Sequence, residues 1–208
     1  MMSSLTHTPA KWISVVFHPL WIPSYAFVLI AHTGDPSLLR IPLHLRGYLT
    51  GIVLVTSGII PALLMWLMVR LKMISTLDLP IRQERTLPIL ITAVFFYLTF
   101  FLLNQLGVAP IFGFYMLGAT TLAILCLFIN LWWKISLHLT AFGGFFGALI
   151  GISILIDDHF IWLTIIVALV SGLVAVSRLK MRSHNLQQVY AGFIVGTLIM
   201  YLLFEFVG

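Results

Sequence analysis

"LHLTAFGGFFGALIGISILI", residues 137–156, runs for twenty residues with His138 as its one titratable side chain. About 20 predominantly apolar residues suffice for a helix to cross the hydrocarbon core of a bilayer. In lipid only helices and closed barrels satisfy their own backbone hydrogen bonds, so the stretch reads as a transmembrane helix. Gly143, Gly147 and Gly151 recur at every fourth position, with Gly144 beside them, and Gly192 and Gly196 repeat the spacing later in the chain. Small-residue stripes of this kind let two helices approach closely.

Six further apolar stretches flank it, at 12–33, 46–70, 87–106, 110–131, 160–177 and 187–206. Of the 208 residues, 61% are hydrophobic and 8% are charged, against about 25% charged in soluble domains. The alternating ~10-residue segments of a membrane β-barrel are absent from the sequence. The expected fold is all-α, a polytopic transmembrane helix bundle of six to seven spans forming one integral-membrane domain over 1–208. Lys11 precedes an apolar stretch interrupted by Pro19 and Pro23. That stretch reads as a retained first span and not as a cleaved signal. Trp132 and Trp133 close the fourth span as interfacial anchors. Cys126 stands alone in an apolar run, so it reads as a packing residue outside any disulfide framework.

The net charge of +5 does not point to nucleic acid as a partner, because the basic residues sit at span ends and form no separate arm. Seven spans place alternate connections on one face. Lys11, Arg70, Lys72, Arg82, Arg85, Lys134, Arg178, Lys180 and Arg182 fall on the first face, and only Arg40 and Arg46 on the second. The excess of basic residues marks the first face as cytoplasmic. The expected location is a bacterial inner membrane. His7, His18, His32, His44 and His159 read as interfacial residues at span ends.

Three polar clusters share the basic face. "DLPIRQERTLP" carries Asp78, Arg82, Glu84 and Arg85; "KISLH" carries Lys134, Ser136 and His138; "SRLKMRSHNLQQ" carries Ser177, Arg178, His184 and Gln188. Guanidinium groups match phosphate oxygens in bidentate fashion. They matter most where charge concentrates during phosphoryl transfer. Two histidines divide the covalent work, one attacking phosphorus and the other protonating the leaving oxygen. Lys180 and Arg182 read as topology signals alone.

With these residues in view, the chain resembles the type 2 phosphatidic-acid phosphatase superfamily of membrane lipid phosphatases, whose helical core is shared with vanadium haloperoxidases. The resemblance spans roughly 70–200. Ser177-Arg178, five residues, then His184 match the third family motif; Ser136 and His138 match part of the second; "RQERTLP" is a loose form of the first. The resemblance implies that His184 is the nucleophile forming a phosphohistidine and that His138 is the general acid. It implies that Arg178, Ser136 and Arg85 hold phosphate oxygens, with Arg82 and Lys134 assisting. No metal or other cofactor is implied. The partners implied are a lipid phosphate or diphosphate, of the phosphatidate or polyprenyl type, and the surrounding lipids.

Three departures stand out. Gln188 replaces the aspartate that orients the nucleophilic imidazole, so it can accept a hydrogen bond from His184 four residues earlier but supplies no charge. Asp78 or Glu84 is then expected to provide the carboxylate. Leu137 replaces the glycine of the second motif, and no lysine stands at the first motif's spacing. Two other readings stay open: an isoprenyl-diphosphate transferase or cyclase, and a non-enzymatic anion or lipid transporter.

Overall fold

The computed structural model describes residues 7–33, 41–156 and 160–207. Arg40, Asp157, Asp158 and His159 lie outside them. Among the described residues, seven helical segments are long and apolar enough to cross a membrane: Pro9–Thr33, Leu43–Arg70, Gln83–Gln105, Pro110–Asn130, Leu137–Leu155, Ile161–Lys180 and Leu186–Phe206. The protein is an all-α integral-membrane bundle, and no strand occurs among the described residues.

The first two spans are each broken. α1 (His7–Val16) and α2 (Ile22–Thr33) flank a 3-10 turn at Pro19–Trp21. Pro19 supplies no N–H to continue α1. His18 caps the turn, its Nδ1 accepting from the Leu20 N–H at 3.4 Å. α3 (Leu43–Val53) and α4 (Ile60–Arg70) are joined by a π-helical segment, Leu54–Ile59. There the Ile60 N–H reaches back five residues to the Val55 carbonyl, just before Pro61. The Thr56 and Ser57 hydroxyls donate to the Ile52 and Val53 carbonyls, both at 2.7 Å. Irregular backbone at membrane depth is tolerated where it is buried in protein or lines a cavity, and here the first break does line one.

The remaining spans are α5 (Thr86–Gln105), α6 (Pro110–Asn130), α7 (Leu137–Ile156), α8 (Ile161–Lys180) and α9 (Leu186–Val207). α7 and α9 form the closest pair. A Cβ on Gly143 would sit 2.1 Å from the Phe193 carbonyl oxygen, one on Gly147 2.2 Å from that of Thr197, and one on Gly196 2.2 Å from that of Thr140. The glycine stripe therefore brings two backbones into contact. Both helices begin on the same face, two spans apart in sequence, so their N-termini lie side by side. The Ser136 N–H donates to the Gln188 carbonyl across that junction at 3.3 Å.

Candidate active site

The spacing of Arg178 and His184 has a local cause. α8 ends in a left-handed turn, with Arg182 at φ 51°. The Arg182 N–H bonds the Leu179 carbonyl and the Ser183 N–H bonds the Arg178 carbonyl. This paired closure is a Schellman motif. It folds the chain back beside Arg178, so His184 returns to the helix end it has just left.

α9 then starts with a reciprocal cap. Asn185 Oδ1 accepts from the Gln188 N–H at 2.9 Å, and Gln188 Oε1 accepts from the Asn185 N–H at 3.3 Å. This is the geometry of a capping box. The same Gln188 oxygen lies 2.9 Å from His184 Nδ1. An amide oxygen only accepts, so Nδ1 carries the proton and Nε2 keeps its lone pair. Arg85 Nη2 stands 3.5 Å from that Nε2, completing a chain Gln188–His184–Arg85. Burial, and next the Arg85 guanidinium, push the His184 pKa down to about 3, against the opposing hydrogen bond from Gln188. His184 is therefore neutral at physiological pH.

Arg85 is buried, with Nε on the Leu79 carbonyl at 3.0 Å and Nη1 on the Ile135 carbonyl at 3.1 Å. Arg178 is 2% exposed, and its Nε has no partner. Among the described residues no carboxylate lies within 4.0 Å of either guanidinium. Desolvating a cation costs several kcal/mol unless a counter-charge compensates. Lys134 lies at the edge of this group, its Nζ donating to the Pro80 carbonyl at 3.0 Å. Burial, followed by repulsion from Arg85 and Arg178, lowers its pKa.

Arg85, Arg178 and His184 head a cavity of about 290 Å³, whose lining does not include Lys134 or Gln188. Ser14, His18, Asp78, Arg85, His138, Arg178 and His184 line its polar end, and Phe96, Tyr115, Leu122 and Met200 line its apolar depth. Arg85 and Phe96 are eleven residues apart along one helical run, which spans about 16 Å at 1.5 Å per residue. The cavity thus reaches about halfway into a ~30 Å hydrocarbon core. Cys126 is buried and also lines it.

Not every sequence candidate converges here. Arg82 turns away: its Nη1 bonds the Asn130 carbonyl at 3.0 Å and the Leu131 carbonyl, while Asn130 Nδ2 returns a bond to the Arg82 carbonyl at 3.0 Å. It therefore caps the C-terminus of α6, where unpaired carbonyls favour a cation. Arg82 and Arg85 sit one 3-10 turn apart, yet their side chains part, Arg82 to the α6 carbonyls and Arg85 to the Leu79 and Ile135 carbonyls beside His184. Ser177 donates to the Ala10 carbonyl at 2.6 Å and meets Ser14 Oγ at 3.0 Å, docking α1 against α8. Ser136 caps α7, its carbonyl accepting the Thr140 N–H, while its buried hydroxyl has no partner. Asp78 lines the cavity but makes no hydrogen bond to His184, whose Nδ1 is taken by Gln188. Glu84 is engaged by the Ser75 N–H and hydroxyl at 2.9 and 2.7 Å.

Two features escaped the sequence reading. His18, read as an interfacial residue, lines the cavity with its ring centroid 5.4 Å from that of His138. The cavity wall also draws on Ser14, Val15, the run from His18 to Pro23, Ala62 and Met65, all outside the 70–200 stretch. The Pro19 break was the available signal, since an interrupted span often marks a binding site.

Among the described residues no three His, Cys, Asp or Glu side chains converge as a metal site. No family model, curated protein or solved structure matches the chain.

Proposed function

We propose that the protein hydrolyses a phosphate or diphosphate monoester on a lipid, through a phosphohistidine at His184. The observation that carries this reading is the pair of buried guanidiniums, Arg85 and Arg178, neither within ion-pair distance of a described carboxylate and with Asp78 the one carboxylate in the described lining, beside a neutral imidazole at the head of an apolar cavity. An anionic phosphate supplies the counter-charge that Asp78 alone leaves short for two guanidiniums, and a hydrocarbon tail suits the depth. The adjacent N-termini of α7 and α9 add their positive dipole ends.

In this reading Arg85 and Arg178 hold the phosphate oxygens. His184 Nε2 attacks phosphorus as the P–O bond to the lipid breaks. His138, taking a proton on Nδ1 from the monoprotonated phosphate as it binds, gives that proton to the departing oxygen. Water then cleaves the N–P bond, its proton passing to His138, and phosphate leaves. Gln188 fixes the His184 tautomer without stabilising its charged form as a carboxylate does. The excess of Lys and Arg on this face supports a cytoplasmic orientation for it, with the site at headgroup depth in what we take to be a bacterial inner membrane.

The test is phosphate release from dodecyl phosphate and from a polyprenyl diphosphate by the purified protein, with His184→Ala and His138→Ala beside the wild type. Both variants are expected to lose turnover, and unchanged release in both refutes the mechanism. The uncharged Gln188 favours a second reading, in which a lipid diphosphate is bound and processed without hydrolysis. Mass spectrometry then finds a modified lipid in place of free phosphate.

A further inference from the structure

His138 and His18 are held by opposite nitrogens. His138 Nε2 lies 3.1 Å from the Ser14 carbonyl. A carbonyl only accepts, so Nε2 carries the proton and the neutral ring has its lone pair on Nδ1. His18 Nδ1 instead accepts from the Leu20 N–H, so its proton resides on Nε2. Backbone groups thus set complementary tautomers in two rings packed edge to face at 78°. One offers an N–H and the other a lone pair, and both rings line the polar end of the cavity.

We infer that His18 is a positioning residue for proton transfer: its Nε2–H holds the lipid oxygen, and later the attacking water, at His138 Nδ1. This rests on the hydrolytic reading above. His138 moves the proton, gaining it on Nδ1 from water and losing it from Nδ1 to the lipid oxygen. His18 stays neutral throughout. Asp78, Arg85, Arg178 and His184 face the same space, and a second imidazolium beside those guanidiniums is disfavoured by like charge. The first span therefore completes the site through both His18 and the Ser14 carbonyl.

Two variants and two probes test this. Glutamine places an amide N–H near the position of imidazole Nε2, whereas phenylalanine keeps the ring and removes the donor. His18→Phe is expected to lower kcat for dodecyl phosphate by roughly 10- to 100-fold, the loss typical of one aimed donor or less, with KM changed less than threefold. His18→Gln recovers kcat to within about fivefold of wild type. In first-turnover release from 4-nitrophenyl phosphate, whose leaving oxygen needs no proton, His18→Phe keeps most of its rate. Equal losses on both probes, a His18→Gln variant no better than His18→Phe, or a His18→Phe variant matching wild type overturns the inference. Absence of phosphate release from wild type, or release that survives His184→Ala, refutes the hydrolytic reading instead.

Discussion

Replacing Gln188 by leucine, with Asn185→Ala as the control, separates the two roles of its side chain. Its Oε1 accepts from His184 Nδ1 at 2.9 Å and from the Asn185 N–H at 3.3 Å. Leucine removes this one acceptor from both donors at similar volume. A buried donor left unpaired costs about 1–3 kcal/mol. His184 escapes that cost by moving its proton to Nε2, the nitrogen that must attack. At 1.4 kcal/mol per tenfold, the productive tautomer falls roughly 5- to 150-fold, and kcat for phosphate release is expected to fall with it. Gln188→Glu keeps the geometry and adds charge. A hydrogen bond to a charged group contributes about 1.5–3 kcal/mol, which raises the His184 pKa by roughly one to two units. From about 3 that leaves the imidazole neutral at pH 7, so the glutamate variant is expected to turn over at least as fast as wild type. Asn185→Ala is the control. It removes the Oδ1 that caps the Gln188 N–H, costs about 1 kcal/mol of helix stability, and leaves the acceptor on His184 in place. The orienting role is refuted if Gln188→Leu stays within threefold of wild type, or if Asn185→Ala loses as much activity as Gln188→Leu.

Protonation of His184 removes the attacking lone pair, so activity falls as pH drops through its pKa. With that pKa near 3 and not near the usual 6.5, histidine NMR signals that disappear in His184→Ala are expected to stay constant from pH 8 to 5. Arg82→Ala is expected to lower thermal stability while retaining turnover, because Arg82 bonds the α6 terminus; Arg178→Ala is expected to abolish phosphate binding, read by calorimetry with inorganic phosphate. Gly147→Ala places a Cβ 2.2 Å from the Thr197 oxygen, so it must separate α7 from α9 at about 1–3 kcal/mol. Thermal unfolding and turnover are both expected to drop, because the Ser136–Gln188 contact spans the same pair.

Residue types and spacing carried much of the candidate site. Arg178 and His184 were legible together because a helix end and its return turn are local, set by six residues. His184 and Gln188 were legible because four residues make one helical turn. Arg82 and Arg85 were indistinguishable by type, and only the carbonyls each one meets send one to a helix end and the other into the cavity. His18 looked like any histidine near a span end. Its role depends on α1 docking against α8 through Ser14, Ser177 and the Ala10 carbonyl, contacts between residues more than 160 positions apart.

Hydropathy by itself determined seven helical spans, since lipid offers no alternative partner for the backbone. The glycine period determined that two of them touch. Tertiary structure alone decided which cations share a cavity, which histidine nitrogens are free, and that the first span belongs to the site. Those outcomes depend on which carbonyl each donor meets, and a membrane-spanning chain brings those carbonyls from segments far apart in sequence.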